Sequence, residues 1–284
     1  LGEIYIKKGE EGVANKKFQL AISETKKNSR YTAALGAKFL KTKNYDLALK
    51  VYQIAKKEAN KPSYSIQIAN IYSALGEVSK MYEEIIELLY SYPNYFQTCK
   101  NKLRITISDD SENENNQKLK KILIKNIQKN NSYEISKLLV WLFMQEKEFQ
   151  KALEYEISID KRIEDNQLDI INLGDISFKN KNYKTAKNAF QYILTQSHKK
   201  SYYYEYASIE ILNIEFEILL NQKIKQIQKI ENLSLTYKST LDQIGLKSET
   251  IFTLKNYCNI LSTYLGNEEE AIDLLNQAIN NQAL

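Results

Sequence analysis

The sequence predicts an all-α fold, built as an array of helical hairpins. Three observations predict it. First, the 284 residues hold only 8 Gly and 2 Pro, where average usage would give roughly 20 and 14. Sheets use these residues in their turns, and doubly wound folds use glycine in their phosphate loops. Second, one spacing of large and small residues returns every ~34 positions, the period of a helical-hairpin repeat. Third, six of the eight glycines fall on two positions of that spacing.

The spacing is clearest in two stretches. In 29–61, Leu35, Gly36, Phe39, Tyr45, Ala48, Tyr52 and Ala55 take positions 7, 8, 11, 17, 20, 24 and 27. In 167–200 the same places hold Leu173, Gly174, Ser177, Tyr183, Ala186, Phe190 and Ile193. The other units align in chain order. Leu1, Gly2, Tyr5, Ala14, Phe18 and Ala21 place 1–28 at position 7 onward, so this partial unit is expected to lack about six residues of its first helix. The unit 62–95 carries Ile68, Ala69, Tyr72, Val78, Met81, Ile85 and Leu88. The unit 96–132 is degenerate, a helix–loop–helix interrupted by an exposed acidic loop at 108–116. The unit 133–166 carries Leu139, Val140, Phe143, Phe149, Ala152 and Ile159, and departs from the pattern at Glu156, its position 24. The unit 201–251 is degenerate and about half a repeat too long, which predicts two extended helices. The last unit, 252–284, carries Cys258, Asn259, Ala271, Leu275 and Ala278.

The register makes physical sense. Small residues at positions 8, 20 and 27 let paired helices approach, and large ones at 7, 11, 17 and 24 fill the space between them. Gly2, Gly36 and Gly174 occupy position 8. Gly9, Gly76 and Gly266 occupy position 15, in the turn between helices, where a positive φ is tolerated.

This pattern resembles the tetratricopeptide repeat over nearly the whole chain. The resemblance implies one right-handed α-α superhelix over residues 1–284, about seven and a half units long, because a lone unit cannot bury its apolar faces. It also implies a concave groove lined by the first helix of each unit. The stretches 103–110 and 138–147 are similar to long repeat proteins of the Bacteroidetes, often envelope-associated. That similarity implies a periplasmic or envelope location ahead of a cytoplasmic one.

Composition narrows the chemistry. The net charge is +5, a mild bias towards an acidic partner. Cys99 and Cys258 are too far apart in sequence for a metal-binding motif. A single histidine, His198, excludes a multi-histidine metal site and is expected in an exposed turn. No phosphate-binding loop, dinucleotide fingerprint or nucleophile elbow is present. The acidic loop lacks the central Gly and terminal Glu of a calcium-binding hand. No cofactor or metal is expected, no apolar run is long enough to span a membrane, and the chain is not expected to be an enzyme.

Binding is the function that remains. Carried over from the resemblance, the groove positions fall on Arg30 and Lys41, on Asn70, on Trp141 and Met144, on Leu168, Ile171, Asp175, Phe178 and Lys179, and on Tyr202 and Glu205. The lysine and asparagine pattern that clamps a chaperone-tail carboxylate is missing, since Ala33, Ala37 and Ile66 stand in its place. The central groove reads as apolar, and such patches mark partner sites when exposed and core when covered. Tyr202, Tyr203, Tyr204 and Tyr206 form a cluster suited to an interface. The expected function is a scaffold or adaptor that takes a protein or peptide segment, as part of a longer protein or complex. One alternative is a nucleic-acid-binding array using Lys118, Lys120, Lys121, Lys125 and Lys129. It is disfavoured because that helix has no arginine or stacking aromatic. A second alternative is an accessory of carbohydrate handling, which predicts a pocket holding several carboxylates.

Overall fold

A computed structural model of the chain describes residues 1–59, 61–164 and 166–280. These residues contain sixteen α-helices and no strand. The fold is an all-α array of helical hairpins, and it divides into two compact units, Leu1–Lys147 and Glu148–Leu284.

In the first unit, α1 (Gly2–Lys7) pairs with α2 (Glu11–Lys27), α3 (Thr32–Lys41) with α4 (Tyr45–Ala59), and α5 (Pro62–Ala74) with α6 (Val78–Ser91). Helix α4 also packs against α2 and α5, so successive hairpins stack. The stack closes over Phe39, Val51, Tyr52, Ile68 and Ile71. Helix α6 buries Met81, Tyr82, Ile85, Ile86, Leu88 and Leu89, an apolar stripe at helical spacing. Each such side chain removed from water contributes ~1.5–3 kcal/mol. The irregular region follows as α7 (Phe96–Arg104), α8 (Glu114–Asn130) and α9 (Tyr133–Gln145). All three lie against α6, and α8 packs on α9.

In the second unit, α10 (Phe149–Ile163), α11 (Gln167–Lys179), α12 (Tyr183–Gln196), α13 (Tyr202–Asn221), α14 (Ile227–Ile244), α15 (Ile251–Asn259) and α16 (Glu268–Ile279) each pack on the next. Contacts also skip one helix: α10 meets α12, α11 meets α13, and α13 meets α15. The helices therefore alternate between two layers, with α11, α13 and α15 in one of them. Helices α13 and α14 have 20 and 18 residues, where α11 and α12 have 13 and 14. The extra length of 201–251 is thus carried by its helices. After α15 the chain forms a π-helical turn, Ile260–Tyr264. The last four residues of the 252–284 stretch lie outside the described residues.

The turns inside the hairpins share one geometry. Gly9, Gly76 and Gly266 have φ of 77°, 74° and 65°, and Lys43, Lys147 and Lys181 have φ of 57°, 58° and 60°. All six are repeat position 15. After Gly9, Lys43, Gly76 and Lys181 the next N–H folds back to a carbonyl five residues earlier, and after Gly266, which follows the π-helical turn, to one six residues earlier. Glu77 donates to Tyr72 at 2.9 Å, Asn44 to Phe39 at 2.8 Å and Asn182 to Ser177 at 2.8 Å. This is the Schellman closure that satisfies the last carbonyls of a helix. Glycine adopts it without strain, whereas an L side chain costs about 1–2 kcal/mol. Replacing Lys43, Lys147 or Lys181 by Gly should therefore stabilise the fold by about 0.5–1 kcal/mol each, after the extra backbone entropy of glycine is subtracted. Gly76→Ala should cost about 1 kcal/mol. Chemical unfolding curves check both signs, and a loss on each Lys→Gly change would contradict the argument.

The acidic loop is shorter and better anchored than its sequence implies. Glu114, Asn115 and Asn116 already form the first turn of α8. Asp109, Asp110 and Glu112 are exposed, but Asn116 is wholly buried. Its Oδ1 accepts the Ser108 N–H at 3.1 Å. Its Nδ2 lies 2.9 Å and 3.1 Å from the Ser108 and Asp110 carbonyls, and 3.1 Å from Glu146 Oε1. The Glu146 side chain is 0% exposed, and Lys120 Nζ stands 3.0 Å from its Oε2. That oxygen is at ion-pair distance without hydrogen-bond alignment, so the attraction there is coulombic.

Candidate functional site

The groove positions expected from the repeat register do not share one environment. In the first unit, Arg30, Lys41 and Asn70 are exposed, and Asn70 Oδ1 accepts from Lys102 Nζ at 2.7 Å. Trp141 is 8% exposed and Met144 is half-buried. Lys100 Nζ lies 5.9 Å from the Trp141 ring centre. The reason is local: between Leu138 and Phe143 every residue of α9 is buried, and a helix apolar all round becomes core. In the second unit Ile171 is 5% exposed and packs inward. Leu168 is 56% exposed, Tyr202 69%, and Lys179 is exposed, while Phe178 is half-buried with its ring 5.9 Å from that of Tyr183. Trp141 and Ile171 thus present no open apolar face, and Leu168 and Tyr202 do.

Of the second unit's expected groove residues, the structure brings Asp175, Tyr202 and Glu205 together around Tyr206 where α11 meets α13. Tyr206 OH donates to Asp175, 3.0 Å and 3.1 Å from its two carboxylate oxygens. Glu210, one turn further along α13, accepts from Asn213 Nδ2 at 3.1 Å. Burial pushes the Asp175 carboxyl above its ordinary range, against the Tyr206 bond and the Lys179 charge that pull it down. Burial and the Asp175 charge push Glu210 up as well. Tyr206 is held protonated by burial and by both carboxylates. The Tyr202 ring leans over Tyr206, centroids 6.0 Å apart and planes tilted by 32°, and Tyr203 meets Tyr202 edge-on at 5.9 Å. Phe190 of α12 supports Tyr206 from below at 6.2 Å.

Lys247, just before the 3-10 turn Ser248–Thr250, reaches across and forms an ion pair with Glu205. A cavity of about 200 Å³ remains beside it, lined by Tyr202, Tyr206, Ile209, Glu210 and Glu249. Tyr206 was expected only as a member of the tyrosine cluster, and Glu210 and Lys247 were not among the residues expected from sequence. In a stretch half a repeat too long the register gives no face to Glu210.

Elsewhere the chemistry is quiet. His198 is exposed in a turn and its Nδ1 accepts from the Lys200 N–H at 3.3 Å. Cys99 is buried, and desolvation raises its thiol to about 11. Among the described residues no three metal-ligating side chains come together, and no helix is long and apolar enough to cross a membrane. Of the lysines on α8, Lys118 pairs with Glu114 at 2.6 Å and Lys120 with Glu146.

No protein-family pattern matches the chain, and no curated protein matches it in sequence. Among solved structures, the chain is similar to one in the structure of Naa15/Naa10 bound to HypK-THB, with TM-score 0.48 and 14% identity over 89% of this chain. It spans 36% of that chain's length. It is also similar to a tetratricopeptide repeat protein of Parabacteroides merdae, with TM-score 0.30, 16% identity, and coverage of 91% of this chain and 96% of the other. For pilF of Pseudomonas aeruginosa the values are TM-score 0.33, 15% identity, and 90% and 91% coverage.

Proposed function

We propose that the chain is a non-enzymatic interaction scaffold whose partner is a protein or peptide segment, and that the segment lies along the α11–α13 face of the second unit. The observation that supports this most is that Leu168 and Tyr202 are exposed and Phe178 half-buried on α11 and α13, two helices in contact that carry expected groove positions. Exposed apolar and aromatic side chains with polar neighbours are the anatomy of a recognition surface. In the first unit Arg30, Lys41 and Asn70 offer polar contacts only. Ile171 acts in this reading as packing beneath the surface, while Trp141 is packing of the first unit.

The test replaces Leu168 and Tyr202 together by Asp, and compares the variant with Gln191→Asp on the exposed side of α12. All three positions are open to solvent, so far-UV circular dichroism should show unchanged helicity. Proteins co-purifying with the full chain from its own cells should be lost with the double variant and kept with Gln191→Asp. An identical set of captured proteins for both would place the binding surface elsewhere.

A further inference from the structure

We infer that the cavity between α13 and the 247–249 turn receives a cationic side chain, arginine in preference to lysine, from the segment bound in the groove. This rests on the scaffold reading above and specifies what the groove selects.

Two independent features of the cavity point to a cation. The first is its walls. Tyr202 presents an open ring face at the rim and Tyr206 a second ring behind it. The Tyr206 hydroxyl is turned away to Asp175, which leaves its ring as the surface facing inward. A planar guanidinium stacks on such faces, and an ammonium does so less well. The second is unbalanced charge. Asp175, Glu205, Glu210 and Glu249 are four carboxylates, against Lys179 and Lys247. Lys247 is spent on Glu205, so the cavity already seats one ammonium of the chain itself. Glu210 accepts a hydrogen bond from the neutral Asn213 amide and feels the Lys179 charge from a distance, but among the described residues it forms no ion pair. A partly desolvated carboxylate beside a second one is strongly improved by an incoming positive charge. On a chain of net charge +5 this is a local reversal of sign, and it sets the polarity of what docks. The volume, about 200 Å³, admits a guanidinium and the end of its stem but not a folded element.

The experiment is selection of random dodecapeptides displayed on phage, panned against the full chain. The leading peptide is then synthesised, and its affinity is measured by fluorescence anisotropy. The expected result is an enriched family with one Arg at a fixed place, and a family with Lys there in its stead would overturn the preference for a guanidinium. Exchanging that Arg for citrulline, its neutral isostere, should weaken binding about tenfold. Glu210→Gln should abolish the difference between the arginine and citrulline peptides. Tyr202→Ala, at a solvent-exposed ring, should reduce it while helicity stays unchanged. Enriched peptides without a basic residue, or a citrulline penalty that persists in Glu210→Gln, would overturn the inference and leave the scaffold reading standing. No enrichment of any peptide would count against the scaffold reading itself, and the inference would fall with it.

Discussion

Lys120→Met should destabilise the first unit by about 3–5 kcal/mol, the cost of removing one partner from a buried ion pair. The Glu146 carboxylate has no exposure of its own, and the Lys120 side chain retains only 15%. Without the ammonium, the carboxylate keeps one amide contact from Asn116 and must either stay charged in a dry site or take up a proton. The Lys120 Nζ also stands over the Phe143 ring, 5.6 Å from its centre; Met keeps an apolar stem of similar length and gives up this cation–π contact together with the ion pair. Lys118→Met is the matched control. Its pair with Glu114 has side-chain exposures of 40% and 82%, and its loss should leave the unfolding midpoint almost unchanged. Adding Glu146→Gln to Lys120→Met should restore most of the loss, because an amide needs no counter-charge and can still face Asn116. Denaturant unfolding of the four proteins decides the matter. Equal costs at positions 118 and 120, or no recovery in the double variant, would show that the pair is not what holds the loop.

That pair also shows where sequence reading stopped. Asn116 and Glu146 are 30 residues apart and belong to no repeated position, so no spacing announces their contact. The acidic run looked like a solvated loop because its carboxylates are solvated, while its anchor is an uncharged asparagine. The helical hairpins themselves were legible. They rest on short-range constraints that each unit states again: a small residue where helices touch, a left-handed residue where the chain reverses, an apolar stripe on each helix. The groove was legible in part. Register placed Asp175, Phe178, Lys179, Tyr202 and Glu205 on first helices, and Asp175, Tyr202 and Glu205 do gather around Tyr206 and the cavity beside it. Register could not say which of the groove positions stay open. Trp141 was covered because α9 is apolar on every side from Leu138 to Phe143, a signal present in the sequence but outranked there by repeat position. Glu210 escaped because 201–251 lengthens its helices and breaks the numbering that would have given it a face.

Position 8 supplies the other large effect, through the glycines with which the repeat was first recognised. A Cβ on Gly174 would stand 2.8 Å from Phe190 Cζ, and a Cβ on Gly36 or Gly2 would run into the rings of Tyr52 or Phe18. In each case the partner is position 24 of the same unit. Glycine is there because an aromatic ring lies on it. Where position 24 is the smaller Ile85, position 8 is Ala69, and both are buried. The two sites therefore trade volume, and this predicts a coupled pair. Phe190→Ala, at a fully buried ring, should cost about 3–5 kcal/mol. Gly174→Ala alone gains about 1 kcal/mol of helix propensity but forces the ring aside at about 1–3 kcal/mol, so it should be neutral to destabilising. Gly174→Ala combined with Phe190→Ile recreates the Ala69–Ile85 arrangement. It should be more stable than the sum of its single changes by about 1 kcal/mol or more, the size expected for residues in contact. A double-mutant cycle in urea gives that coupling directly. Strict additivity would mean that the glycine serves the backbone alone, and that the ring above it is an accident of packing.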